Sequence, residues 1–275
     1  MADMVVFGYV AESDSDASRE RMVAFAVRLA KLTGLEVVTC RAHSYTELAE
    51  LVHKDKVDFA RLPPIPYLAL VRHDRVTPLV SARREGRAEF YCVLVVRRDA
   101  PIANPRDLEG KRAAWVDPHS ASGYVLPRIA LAAVGVDPRV AFREEKFYQS
   151  HDAVLRAVLE GRADFAATFA WLDREGNVGR GAWLEIPGAE DAFRALATFG
   201  AIPADVIAAR SQLDEATRER IAAALLRLVE EDPALLQDVF GADELRRGPS
   251  PGYAEFGEAV MRASSGGLLE GEEKG

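Results

Sequence analysis

Short apolar runs alternate along this chain with longer stretches whose apolar positions recur at helical spacing. That pattern predicts an α/β protein with mostly parallel sheets. Residues 4–10 read as a strand, followed by an amphipathic helix over 17–32 that Gly34 stops. A strand over 35–40 comes next, then a helix from Ser44 to His53, with Ser44 as N-cap and Glu47 completing a capping box. Residues 57–60 form a strand, and Pro63-Pro64-Ile65-Pro66 breaks the chain. The apolar run 90–97 is a strand ended by Asp99-Ala100-Pro101. Strand 112–116 leads through Asp117-Pro118-His119-Ser120-Ala121-Ser122-Gly123 into a helix over about 124–134. A strand at 142–147, a helix at 150–160 and a strand at 163–167 follow. Residues 194–199 carry the chain back, and 205–209 rejoin the first sheet. Helices are expected at 214–229, 233–239 and, after Pro249-Ser250-Pro251, at 253–263. The Gly- and Glu-rich tail 264–275 is expected to fray.

Two parts of this pattern match at a fixed offset. Ser44-Tyr45-Thr46-Glu47, running on to Val57-Asp58-Phe59-Ala60, corresponds to Ser150-His151-Asp152-Ala153, running on to Ala163-Asp164-Phe165-Ala166. Ser44 and Ser150 lie 106 positions apart, as do Asp58 and Asp164, Phe59 and Phe165, and Ala60 and Ala166. Tyr45 therefore stands opposite His151, Val10 opposite Val116, and the turn 13–16 opposite His119-Ser120-Ala121-Ser122. Chance likeness between two βα units is the alternative to duplication; the register shared over four anchor positions favours duplication. The simplest reading is two lobes on one plan, each offering a helix start to a shared cleft. The first lobe would take residues 1–98 with 200–275 and the second 99–199, with hinges near 97–101 and 197–201.

Composition narrows the function. The chain has 275 residues, 49% hydrophobic and 28% charged, enough for a large core. The net charge of -8 argues against a general nucleic-acid role, which needs a basic face. A small anion is still admissible if local donors hold it. Cys40 and Cys92 read as free thiols in strands rather than as a disulfide. No apolar run reaches the ~20 residues of a membrane helix. No export signal is visible at the start, so the chain reads either as cytoplasmic or as a mature form whose leader is missing.

The candidate chemistry lies at helix starts. Ser120-Ala121-Ser122-Gly123 sits where a strand hands over to a helix, where the first amides lack intrahelical partners and carry partial positive charge. Hydroxyls add donors and Gly123 permits close backbone approach, which makes an anion site. The competing reading is that Ser120 or Ser122 merely caps the helix. His151 follows the N-cap Ser150 and Tyr45 follows Ser44, each bringing a donor or, alternatively, only a first-turn surface residue. The five histidines show no metal-ligand spacing, and there is no Cys-x-x-Cys, dinucleotide loop, Walker loop or nucleophile elbow. Ser150-His151-Asp152 spells triad residues, but neighbours on one helical turn point apart. No metal and no cofactor is expected. Arg83, Arg84 and Arg87 read as a solvated basic loop.

Asp107-Leu108-Glu109-Gly110-Lys111, then Trp115-Val116-Asp117-Pro118-His119-Ser120-Ala121-Ser122-Gly123-Tyr124 with Pro127-Arg128, resembles the signature of phosphate/phosphite/phosphonate-binding proteins of ABC transporters. Ser150-His151-Asp152-Ala153-Val154 with Gly161-Arg162-Ala163-Asp164 is similar to the family's second signature. Tyr45, the strand 91–97 and Ile202-Pro203 also fit, so the resemblance covers about residues 4–240. It implies a two-lobed type 2 periplasmic-binding-protein fold and a non-enzymatic solute-binding role. The oxyanion would be held by Ser120, the amide of Ala121, Ser122, Gly123 and His151, with Tyr45 reaching from the other lobe and Phe90 or Tyr91 lining the cleft. Arg61 and Thr168 are further candidates. Binding would close the lobes by a hinge motion, and the partner would be an ABC transporter permease. The family default is a monomer in the periplasm or cell envelope, with no membrane insertion.

Four positions depart from the family pattern. Ala121 stands where a second hydroxyl residue is usual, Arg61 and Pro63 where an aromatic and a Gly are common, and Cys92 where a small hydroxyl residue is usual. With no convincing acidic pair for an aminoalkyl tail, the expected ligand is an inorganic or small oxyanion, or one outside the family's usual range. The alternative function is a cytosolic sensor or enzyme on the same fold. His151, Glu12, Asp14 and Asp117 are its thin set of acid/base candidates.

Overall fold

The computed structural model describes residues 4–10, 16–173, 175–186, 189 and 191–269. The turn expected at 13–16, with Glu12 and Asp14 beside it, falls outside the described residues except for Asp16. The elements run β1 (Met4–Val10), α1 (Asp16–Thr33), β2 (Glu36–Ala42), α2 (Tyr45–His53), β3 (Phe59–Leu62), α3 (Pro64–Val71), β4 (Val76–Arg83) and β5 (Glu89–Arg97). They continue through β6 (Arg112–Trp115), α4 (Leu126–Ala133), β7 (Glu144–Phe147), α5 (His151–Leu159), β8 (Phe165–Leu172), β9 (Val178–Gly181), β10 (Phe193–Pro203) and β11 (Val206–Arg210). The chain closes with α6 (Glu215–Glu231), α7 (Pro233–Phe240), β12 (Glu244–Arg247) and α8 (Tyr253–Ser265).

The chain divides into two compact units, Met1–Glu89 with Pro203–Tyr253 and Phe90–Ile202 with Ala254–Gly275. These boundaries correct the sequence-based ones. β5 is paired with β8 from Tyr91 to Val96, so the crossing expected at 97–101 comes before that strand instead. Residues 254–269 likewise join the second unit.

The first unit holds a sheet ordered β12-β4-β11-β3-β1-β2. The β1–β2 and β1–β3 pairs are parallel, while β11 and β12 run antiparallel to their neighbours. α1, α6 and α7 cover one core, in which Phe7, Phe25 and Phe59 are at most 1% exposed. Pro63-Pro64-Ile65-Pro66 does not break the chain but opens α3, with prolines in its first turn. There the missing N–H costs nothing and the fixed φ suits a helix. The expected capping box at α2 is shifted by one residue. Ser44 accepts from Glu47 N, but the Glu47 carboxylate accepts from His43 N at 2.7 Å.

The second unit holds a sheet ordered β10-β5-β8-β6-β7, with β9 beside β8. The β6–β7 and β6–β8 pairs are parallel, and β5–β8 is antiparallel. Each sheet is thus parallel on one flank and antiparallel on the other, rather than mostly parallel. The parallel halves repeat. β2-β1-β3 is followed by β11 in one sheet, and β7-β6-β8 by β5 in the other. On α5, Val154, Leu155 and Val158 are fully buried against this sheet, each contributing about 1.5–3 kcal/mol relative to exposure.

Candidate functional site

The first part of the site is built on the end of β6. After Trp115 the chain turns at Asp117, whose carboxylate accepts the amide of His119 at 2.7 Å. It then enters a π-helical turn, Ala121–Val125, before α4. The Ser120 carbonyl accepts from both Tyr124 N and Val125 N, at 3.1 and 2.9 Å. A π-turn is strained relative to an α-turn and concentrates at functional sites. Gly123 is required here. A Cβ on it would lie 2.6 Å from Val116 Cβ and 2.8 Å from Ser120 Oγ.

Ser120 does cap the turn, since its Oγ accepts from Gly123 N at 3.0 Å. Capping and binding are compatible. A hydroxyl that accepts through a lone pair still has its own proton to donate. Ser120, Ala121 and Ser122 are 2%, 4% and 3% exposed, and the amides of Ala121 and Ser122 precede any intrahelical partner. Donors in so dry a setting are strong toward an anion.

The second part is the start of α5. Ser150 Oγ caps it by accepting from Ala153 N at 3.1 Å. The two parts are tied together at Val116, which donates to Gly123 O at 3.2 Å and accepts from Gln149 N at 2.8 Å. One residue thus fixes both turn starts at the same strand end. His151, half-buried, puts Nδ1 2.9 Å from Oγ1 of Thr168, which is fully buried on β8. Tyr91 shares a sheet face with Thr168, because it pairs with Ala170 and its neighbour Val93 pairs with Thr168. Ser120, Ala121, Ser122, Gly123, His151 and Thr168 are therefore brought together in the second unit, with Tyr91 on the His151 side. Phe90 is half-buried at the start of β5.

Tyr45 stands half-buried at the first position of α2, in the first unit. Arg61 is engaged within that unit, with Nε donating to Asp205 Oδ2 at 2.8 Å and Nη1 to the Val239 carbonyl at 3.2 Å. Its charge is matched there by a carboxylate. The basic cluster is likewise structural. Arg84 donates to Phe240 O at 2.8 Å, and the Arg84 and Arg87 backbones close the turn between β4 and β5. Asp117 is buried and holds a turn. Cys40 and Cys92 are free, and burial pushes the Cys92 thiol well above its ordinary value. No group of metal-ligating residues occurs among the described residues.

Two features escaped the sequence. One is the contact of Thr168 with His151, which depends on how α5 packs against β8. The other is a support behind the π-turn. Arg128, 1% exposed, donates to the carbonyl of Leu268 at 2.7 Å, pairs with Glu145 and lies over the Tyr124 ring. Tyr124 Oη donates to Leu269 O at 3.3 Å, and burial raises its pKa against the opposing effect of Arg128. The expected fraying therefore does not extend to Leu268 and Leu269.

A family model described as the periplasmic substrate-binding protein of phosphonate ABC transporters matches residues 7–248. The chain is 30% identical over 167 residues to the phosphate-import protein PhnD of Mycolicibacterium smegmatis, a match covering 57% of this chain and 51% of that protein. It thus spans about half the length of that relative. Among solved structures, a binding protein component of an ABC phosphonate transporter from Pseudomonas aeruginosa superposes with a TM-score of 0.82 at 18% identity, covering 100% of this chain and 91% of that one. PhnD1 from Prochlorococcus marinus, in complex with methylphosphonate, gives a TM-score of 0.79 at 19% identity, covering 95% and 98%. These likenesses establish the fold as that of periplasmic binding proteins.

Proposed function

Because this chain belongs to the family of periplasmic substrate-binding proteins of phosphonate ABC transporters, we propose that it captures a phosphorus oxyanion and delivers it to an ABC transporter permease. The family is one of binding proteins, and the periplasm or cell envelope is the compartment this reading assigns. Among the described residues no helix is long and apolar enough to cross a membrane.

The observation that carries the reading is that Val116 ties both turn starts to one strand end. The hydroxyls of Ser120 and Ser122, the amides of Ala121 and Ser122, and the imidazole of His151 all belong to turns fixed to that one strand end. Donors supplied from two such turn starts suit a tetrahedral oxyanion, whose oxygens accept in several directions. Each charge-assisted bond is worth about 1.5–3 kcal/mol. His151 meets the ligand through Nε2, with Nδ1 held by Thr168. In this reading binding is the whole task and no side chain acts as a catalyst. Tyr45 is proposed as a ligand contact on the strength of its match to His151 in the repeat, and Arg61 is left to its structural pair with Asp205.

A thermal-shift screen tests the reading with phosphate, phosphite, methylphosphonate, 2-aminoethylphosphonate, sulfate and small carboxylates. A ligand that binds only the folded state adds about 2.7 kcal/mol at a hundredfold excess over its Kd. A shift with a phosphorus oxyanion and none with carboxylates is expected. No shift with any phosphorus compound would contradict the proposal.

A further inference from the structure

A row of rings leads away from the anion donors of the second unit. Phe169 packs edge-on against His151, with centroids 4.8 Å apart, and Trp171 packs edge-on against Phe169 at 4.9 Å. Both rings are half-buried on β8, so each keeps some surface for contact. The guanidinium of Arg180 lies 5.3 Å from the Trp171 ring centroid. β9 holds it there, because Arg180 is the direct partner of Trp171 in the β8–β9 pair.

This row has a chemical preference. The π-faces of Phe and Trp attract flat apolar groups, and by their quadrupole they also attract cations. On Trp171 the cation is already present, since Arg180 supplies it. A second positive charge would meet repulsion, so the wall favours a neutral ring over an ammonium group. The nearest carboxylate along β8, that of Asp173, accepts the backbone amides of Glu175 and Asn177, both at 2.9 Å, and is spent on that turn.

We propose that Phe169 and Trp171 form the specificity wall of the site, and that the ligand is a phosphorus oxyanion carrying a flat, uncharged apolar or aromatic substituent. The proposal rests on the oxyanion reading above and adds to it the nature of the group attached to phosphorus. His151 stands at the junction, donating to the oxyanion on one side and meeting the wall edge-on on the other.

Calorimetric titration of the full chain with phosphate, methylphosphonate, 2-aminoethylphosphonate and phenylphosphonate tests the wall. Phenylphosphonate should bind about tenfold tighter than methylphosphonate, a difference of about 1.4 kcal/mol. 2-Aminoethylphosphonate should bind no tighter than methylphosphonate. Phe169→Leu and Trp171→Leu, which keep an apolar side chain on the strand, should each reduce that ratio to about threefold or less. Equal affinity for the phenyl and methyl compounds, a preference for the amine, or a ratio untouched by both variants would overturn the wall while leaving the oxyanion reading in place. Binding of none of the four would overturn both.

Discussion

His151 Nδ1 lies 2.9 Å from Thr168 Oγ1, so a residue in the interior of the second sheet sets the orientation of the imidazole at the start of α5. Thr168→Val keeps the shape and removes the hydroxyl. Oxyanion affinity should fall by about 1 kcal/mol as the ring loses its tether, and His151→Ala should cost about 1.5–3 kcal/mol. In the His151→Ala background, Thr168→Val should have no further effect on affinity. Additive losses in this double-mutant cycle would show that Thr168 acts independently of His151.

Gly123 sits against Val116 and Ser120 so closely that any side chain collides with both. Gly123→Ala should cost about 1–3 kcal/mol of stability by overpacking and weaken oxyanion binding further by displacing the π-turn. Adding Val116→Ala should restore little of the lost melting temperature, because alanine keeps the Cβ that lies 2.6 Å from the added one. A Gly123→Ala protein with full stability and affinity would contradict this account of the turn.

The internal repeat is physical as well as sequential. Asp58 Oδ2 accepts the amide of Val6 at 2.8 Å, and Asp164 Oδ2 accepts the amide of Arg112 at 2.8 Å, both across 52 residues. The Asp164 carboxyl is held below its ordinary 3.8, first by the Arg112 side chain and then by the Arg112 amide, against the opposing effect of burial. A depressed carboxyl adds stability above its unfolded pKa and loses it as pH falls through the folded one. Asp164→Ala should therefore cost about 1–3 kcal/mol in urea unfolding at pH 7. The gap to the parent should narrow as pH drops below about 3.8. A gap independent of pH would show that Asp164 contributes only by packing.

Helices α2 and α5 end alike. Asp55 at φ 54° and Gly161 at φ 71° occupy the same left-handed position of the repeat. Short polar residues tolerate this region better than β-branched ones. Gly161→Asp should thus cost less stability than Gly161→Val, by about 1 kcal/mol in thermal or urea unfolding. Equal costs would show that the two helix ends are not equivalent.

The tail tests the support behind the site. Ending the chain after Ser265 removes the Leu268 carbonyl that Arg128 donates to. A buried donor left unpaired costs about 1–3 kcal/mol, so the melting temperature should fall. Oxyanion affinity should weaken as well, because Tyr124 belongs to the π-turn and Arg128 to the helix that continues it. An unchanged affinity would separate the tail from the site.

The sequence revealed what depends on near neighbours. Ser44 and Ser150 announce their helices because a cap and the amide that donates to it lie three residues apart. Ser120 is legible as a cap for the same reason. Features that depend on distant partners were hidden. Arg61 looked available for a ligand because its carboxylate, Asp205, is 144 residues away. Strand β4 went unread, since Pro78, Ser81 and Arg83 interrupt its apolar alternation. The α3 segment reads as a break because prolines that end a helix in its interior can also begin one. The strand β5 was assigned to the wrong unit because an apolar run does not say which sheet it joins.

The most direct test of the central claim is calorimetric titration of phosphate, phosphite and methylphosphonate into the parent protein and into Ser122→Ala/His151→Ala. One ligand per chain should bind for at least one of these compounds. The double variant should lose about a hundredfold or more in affinity, about 2.7 kcal/mol, at little change in melting temperature. A parent that binds none of them, or a double variant that binds as tightly as the parent, would contradict the account.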